Sequence, residues 1–280
     1  MRLQCGTFRL ATDRPLIMGV VNVTPDSFSD GGKFFELKQS LAHANALIAE
    51  GADVLDIGGE STRPGAAPVS LDEERRRVLP LLERLAGGDT PLSVDTHKPA
   101  LMRDALAAGA SMINDVSGFR DAGAFEAVAH SGAAICIMHM HGEPRTMQHN
   151  PHYDDVTRTV FDYLEARVRA AQAAGIARNR IMIDPGFGFG KTLQHNLILL
   201  RELRTFRQIG CAVLAGLSRK AMLGTITGRE PAQRVHASVA AAVLAVQNGA
   251  HLVRVHDVAA TRDALAVITA VQQASGLSNA

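Results

Sequence analysis

Eight short apolar runs, each about one strand long and each followed by a stretch of helical character, constrain this chain more than any other feature. The runs fall at 16–22, 53–58, 91–95, 112–117, 134–139, 181–184, 212–217 and 251–256. Runs this apolar, with repeated Val and Ile, fit parallel strands covered on both faces. The helical stretches fall at 38–50, 71–86, 98–108, 122–131, 153–175, 193–208, 230–248 and 259–275. Eight strand-then-helix units predict an α/β fold, a (β/α)8 TIM barrel, as one domain over residues 1–280. A doubly wound open sheet is the alternative. Residues 1–14 alternate weakly and carry Gly6, which predicts a short N-terminal β-hairpin plugging the barrel floor.

Local punctuation agrees with these units. Ser70 stands three residues before Glu73, the spacing of a capping box, and Asp121 and Asp257 are placed to cap the helices that follow them. Gly51, Gly109, Gly132 and Gly249 each precede an alanine at a helix end, where glycine permits a left-handed closing turn. Two strand-to-helix connections, 22–36 and 59–70, are too long. Typical ones have ~2–6 residues, so both read as binding loops or lids.

The strand ends carry the chemistry. The apolar runs finish at Asn22, Asp95, Asn114 and Asp184, lead to Ser218 and Lys220, and end with Arg254 and His256. In a parallel barrel these groups share one mouth, where barrel enzymes place their active sites. Asp95, Asn114 and Asp184 form an acceptor-rich set able to read a ring edge with an amidine- or guanidine-like donor array; helix capping is the alternative. Lys220, Arg254 and His256, with Arg63, form a cationic set suited to a phosphate or diphosphate. For Arg254 the alternative is a salt bridge with Asp184 or Asp95.

Several readings are excluded. Gly186–Thr192 is not a P-loop, because Pro185 stands where the first glycine is required. His139 and His141 share a strand face, but the other strand ends lack the ligands of a transition-metal site. Gly216-Leu217-Ser218 is not a nucleophile elbow, since Lys220 replaces its last glycine. Beside Arg219 and an acidic pocket, Lys220 reads as a charged binding group rather than a Schiff base. With 29 basic and 28 acidic residues, the chain has no electrostatic case for nucleic acid or membrane partners. Cys5, Cys136 and Cys211 show no disulfide or metal spacing, Cys136 and Cys211 lie in apolar runs, and the N-terminal residues lack a signal-peptide apolar core. These features predict a cytoplasmic protein.

Five segments together resemble one family. Asn22-Val23-Thr24-Pro25-Asp26-Ser27-Phe28-Ser29-Asp30-Gly31-Gly32 and Gly58-Gly59-Glu60-Ser61-Thr62-Arg63-Pro64-Gly65 resemble the first two signatures of bacterial dihydropteroate synthases. Asp184–Lys191, Ser218-Arg219-Lys220 and Arg254-Val255-His256-Asp257 match its further motifs. The resemblance implies a folate-pathway transferase. It would join 4-aminobenzoate to 6-hydroxymethyl-7,8-dihydropterin diphosphate with Mg2+, as a homodimer inhibited by sulfonamides.

The resemblance also implies roles. Asp95, Asn114, Asp184 and Lys220 would hold the pterin, with Met138 and Phe189 as walls and Arg254 over its face. Phe28, Thr62, Arg63, Pro64, Phe189, Ser218 and Lys220 would shape the 4-aminobenzoate site. Asn22, Thr62, Arg63, Arg254 and His256 would face the diphosphate, with Asn22 as the metal ligand. Lys220, Arg254, His256 and Asp30 would be catalytic, Asp30 by orienting or deprotonating the amine. A pterin-binding methyltransferase-type barrel and a non-catalytic pterin-binding paralogue are the alternatives.

Overall fold

The computed structural model describes residues 1–23, 32–62, 65–142 and 147–274. The chain opens with β1 (Arg2–Cys5) and β2 (Phe8–Ala11), an antiparallel pair. It continues β3 (Leu16–Asn22), α1 (Gly32–Ala49), β4 (Val54–Gly58), α2 (Leu71–Leu85), β5 (Leu92–Asp95), α3 (Pro99–Ala107), β6 (Met112–Asp115), α4 (Ala124–Ala129) and β7 (Ala134–Met138). The last part runs α5 (Val156–Ala173), β8 (Ile181–Asp184), α6 (Leu193–Arg201), β9 (Ala212–Ala215), α7 (Ala221–Thr227), α8 (Val235–Gln247), β10 (Leu252–Val255) and α9 (Val258–Gln273). Strands β3 to β10 are parallel and close into a barrel, with β10 paired to both β3 and β9. Closure rules out the open doubly wound sheet.

Two apolar cores follow from strand alternation. Outward residues such as Val21, Ile57, Val94, Ile113 and Ile183 pack against the surrounding helices. Inward residues Leu16, Met18, Val54, Met112, Cys136, Met182, Leu214 and Leu252 fill the barrel, and Leu3 and Cys5 of the hairpin join them from below. The expected floor plug is therefore present.

The local expectations fared unevenly. Gly51, Gly109, Gly132 and Gly249 all adopt positive φ as predicted. Ser70 caps α2 by accepting from the Glu73 N–H, but the Glu73 carboxylate turns to Arg76 and Arg77, so the reciprocal half of the box is absent. Asp257 stands at the N-cap of α9 but makes no side-chain cap bond, and Asp121 is not the N-cap of α4; a salt bridge with Arg219 and a hydrogen-bond contact with His97 take their carboxylates. The helix expected at 230–248 begins at Val235, and the short α7 before it was not foreseen. Helix α1 starts at Gly32, earlier than expected, so the first loop is shorter; the second, 59–70, has no regular element in its described part.

Candidate active site

The predicted strand-end residues do converge. Asn22, Gly58, Asp95 and Asn114 are successive Cα partners around β3, β4, β5 and β6, so they stand at one level of the barrel mouth. On the far side, Asp184 ends β8, and Arg254 comes from β10. Gly216 lies between them: a Cβ there would sit 3.8 Å from Arg254 Cβ and 4.0 Å from Asp184 Oδ2, in ordinary van der Waals contact with both. Asp95, Asn114 and Asp184 are all buried.

A residue the sequence reading passed over organises this layer. Asp56 lies mid-strand in β4 and is fully buried. Its Oδ2 accepts from Arg254 Nε at 2.6 Å and from Asn114 Nδ2 at 3.1 Å, and its Oδ1 accepts from Ser93 Oγ at 2.6 Å. Arg254 Nη2 also donates to Asp95 Oδ2 at 3.1 Å. The salt bridge held open for Arg254 is thus real, with Asp56 and Asp95 as partners. It does not exhaust the side chain, because Nη1 has no protein partner among the described residues. The missed signal was a lone carboxylate inside an otherwise apolar strand, which a two-face-covered strand tolerates only when paired.

The electrostatics follow from crowding two carboxylates and a guanidinium in a buried layer. Burial, then the neighbouring Asp56 charge, pushes Asp95 up to about 8, against the pull of Arg254. Burial likewise raises Asp184, opposed by Lys220 and the Gly186 N–H, which donates to Asp184 Oδ1 at 2.7 Å. Burial works against the Arg254 charge, but Asp56 and Asp95 hold it above the ordinary arginine value. Lys220 is pushed down to about 8 by burial, with Asp184 opposing.

The 185–190 turn after β8 serves Lys220. Phe187 O accepts from its ammonium, and the ammonium stands 4.7 Å over the Phe189 ring. Phe189 packs on a cluster of Met138, Met140, Met147 and Val116, giving the mouth one apolar wall. Gly186 is dictated by backbone contact: its φ is +71°, and a Cβ would meet His139 O at 1.9 Å. The close approach at Gly186 is therefore by the backbone at the β7 end. Lys191 clamps the turn from beneath, donating to Gly186 O at 2.9 Å and Phe189 O at 3.0 Å and standing 2.9 Å from His139 Nδ1. Burial and this lysine push His139 down to about 2, so the ring is neutral. His139 and His141 lie beyond the end of β7 at Met138, and no cluster of three metal-ligating side chains exists among the described residues.

On the β9–β10 side, Ser218 Oγ lies 2.9 Å from His256 Nδ1. Its observed partner is thus a member of the cationic set. Thr62 is half-buried beyond the end of β4. Phe28, Asp30, Arg63 and Pro64 lie outside the described residues.

Known proteins with this arrangement agree on one family. The family described as pterin binding enzyme matches residues 18–256. A dihydropteroate synthase from Neisseria meningitidis serogroup C is 53% identical over 267 residues, covering 94% of each chain. The chain belongs to the dihydropteroate synthases. The solved Xanthomonas albilineans dihydropteroate synthase with 4-aminobenzoic acid superposes with a TM-score of 0.92 at 55% identity, covering 97% of this chain and 98% of that one. The same enzyme with 7,8-dihydropteroate gives 0.89 at 53% identity, covering 97% and 99%. A Yersinia pestis dihydropteroate synthase with a sulfonamide drug complex gives 0.93 at 46%, covering 98% and 100%.

Proposed function

We propose that this chain condenses 6-hydroxymethyl-7,8-dihydropterin diphosphate with 4-aminobenzoate, forming 7,8-dihydropteroate and releasing diphosphate. The observation that carries the reading is the composition of the mouth: the buried acceptors Asp95, Asn114 and Asp184 stand at its strand ends, and the cations or donors Lys220, Arg254 and His256 come from the β9 and β10 ends beside them. Asp95 and Asp184 accept from the pterin's N–H edge, and Asn114, its amide fixed by Asp56, completes that edge. Lys220, Met138 and Phe189 confine the ring.

The bond between the pterin methylene and the diphosphate oxygen breaks, and its electron pair leaves with the diphosphate. The positive charge left on the methylene spreads into the pterin, where Asp95 and Asp184 oppose it in a low-dielectric site. The Arg254 Nη1 donors and His256 meet the leaving oxygens. The arylamine nitrogen then attacks the methylene, and the new C–N bond forms with loss of an amine proton. Thr62, Arg63, Pro64, Ser218 and Phe28 shape the 4-aminobenzoate site, and Asp30 orients the amine or takes its proton.

A hard divalent cation suits the mouth. Asn22 supplies one amide oxygen, 3.8 Å from where a Gly58 Cβ would stand, and Mg2+ typically takes one or two protein ligands with substrate phosphates and waters. When bound there, Mg2+ supplies positive charge to the diphosphate. The protein is a cytoplasmic homodimer in this reading. No described helix is long and apolar enough to cross a membrane. The exposed Leu244 of α8 and Val267 and Val271 of α9 give two mutually packed helices an apolar surface for a second copy. Sulfonamides, seen on the Yersinia pestis relative, occupy the 4-aminobenzoate site here. The test is formation of 7,8-dihydropteroate from the two substrates with Mg2+; no product overturns the reading.

A further inference from the structure

The turn after β8 lies outside strand and helix, yet each of its carbonyls from Gly186 to Gly190 accepts from a side chain. Lys191 Nζ donates to Gly186 O and Phe189 O, Lys220 Nζ to Phe187 O, Gln148 Nε2 to Gly188 O, and the Tyr153 hydroxyl to Gly190 O. Lys191 alone of these donors serves two carbonyls. Its side chain is buried, and among the described residues no carboxylate pairs with it. Besides those two carbonyls, its nitrogen faces only the His139 carbonyl at 3.3 Å and His139 Nδ1 at 2.9 Å.

A buried ammonium is costly unless hydrogen-bonded, and burial holds Lys191 well below the ordinary lysine value. The clamp survives in either protonation state. An ammonium has three N–H donors and a neutral amine has two, and two suffice for the two carbonyls. Those carbonyls bracket what the turn gives to the mouth. Phe187 O, between them, accepts from Lys220, and the Phe189 ring stands 4.7 Å from the same nitrogen. Glycines of positive φ at 186, 188 and 190 alternate with the two phenylalanines. The alternation sends Phe187 into the outer core and leaves Phe189 on the apolar wall. Rotating either bracketing peptide would turn Phe189 off that wall, and would also break a Lys191 hydrogen bond.

We propose that Lys191, with Tyr153 at the far end of the turn, is a positioning residue: it fixes the turn so that Phe189 and Lys220 form one side of a subsite for an aromatic amine. That the amine is 4-aminobenzoate rests on the function proposed above. The assignment gives a task to a buried lysine that touches no reacting atom.

The test uses Lys191→Met, which keeps the aliphatic reach and loses every donor. The Gly188 and Phe189 amides donate to Asn196 Oδ1 and Gly186 O. In native-state hydrogen exchange of the variant these two amides exchange ~10-fold faster, while amides of β3 to β6 are unchanged. In turnover its KM for 4-aminobenzoate rises ~10-fold. Its Kd for inorganic pyrophosphate, held on the β10 side by Arg254 in the reading above, is unchanged. In a Phe189→Ala background Lys191→Met adds no further rise in KM. Tyr153→Phe removes one hydroxyl at little cost in packing, gives the same pattern with a ~3-fold rise, and carries the test should Lys191→Met not fold. Unchanged exchange in the turn overturns the clamp. Faster exchange with an unaltered KM, or a Lys191→Met effect that adds fully to that of Phe189→Ala, overturns the positioning role. Absence of wild-type turnover refutes the function proposed above, whereas the exchange result still decides the clamp.

Discussion

Asp56 gives the sharpest energetic prediction, because its carboxylate is fully buried and serves three donors on three other strands. Asp56→Ala orphans Arg254 Nε, Asn114 Nδ2 and Ser93 Oγ together. Each bond to the carboxylate contributes ~1.5–3 kcal/mol, and removing one partner of a buried ion pair alone costs ~3–5 kcal/mol, so the variant loses at least about 3–5 kcal/mol. Asp56→Asn behaves differently. Its carbonyl oxygen can stay toward Arg254 and Asn114, while its amide faces Ser93 Oγ and leaves the Ser93 hydroxyl proton without an acceptor, so two of the three bonds survive and the charge is lost. That change costs about 2–3 kcal/mol. Urea unfolding at neutral pH with linear extrapolation measures both. The Asn variant also removes the second-largest influence raising Asp95, so Asp95 titrates below its wild-type value of about 8, readable by carboxyl 13C NMR. An Asp56→Ala variant as stable as wild type, or an Asp56→Asn variant as damaged as Asp56→Ala, would refute the acceptor argument.

Asp95 also predicts a pH dependence of stability. Its folded value is raised from 3.8 to about 8, so between those values the native state binds more protons than the unfolded state. Stability from this group is then fully present at low pH and is lost as pH rises to about 8; the stability gap between wild type and Asp95→Asn should change in that window and stay flat above it. Arg254→Ala should abolish turnover and weaken pyrophosphate binding, and unchanged kinetics would remove Arg254 from the mechanism. Asp184→Ala should lose pterin affinity while circular dichroism stays native; an unfolded variant would assign Asp184 a structural role instead. Asn22→Ala should raise the Mg2+ concentration needed for half-maximal rate, and chelation should stop wild-type turnover.

Why Asp56 escaped the sequence reading shows where such readings end. Its partners lie 37, 58 and 198 residues away, so nothing near it in the chain marks it. The strand-end residues were legible because their position follows from periodicity alone: an apolar run covered on both faces must stop where a polar side chain meets the mouth. The barrel was legible for the same reason, eight times over, and the floor hairpin through Leu3 and Cys5. Caps were less legible. Asp121 and Asp257 have the right residue type near a helix start, but His97 and Arg219 compete for their carboxylates, and only tertiary structure brings those partners near. Helix α7 escaped because its seven residues are too few to show a periodicity. The signature loops pointed to the family, and Phe28, Asp30, Arg63 and Pro64 within them remain assigned by resemblance alone.

The central claim is a coupled event: the pterin–oxygen bond breaks and the carbon–nitrogen bond forms in one site. Quantifying both products during turnover, with pterin diphosphate, 4-aminobenzoate and Mg2+ supplied, tests it most directly. The account predicts equal amounts of diphosphate and 7,8-dihydropteroate, both rising with 4-aminobenzoate. Diphosphate released without dihydropteroate, or no release at all, would contradict it.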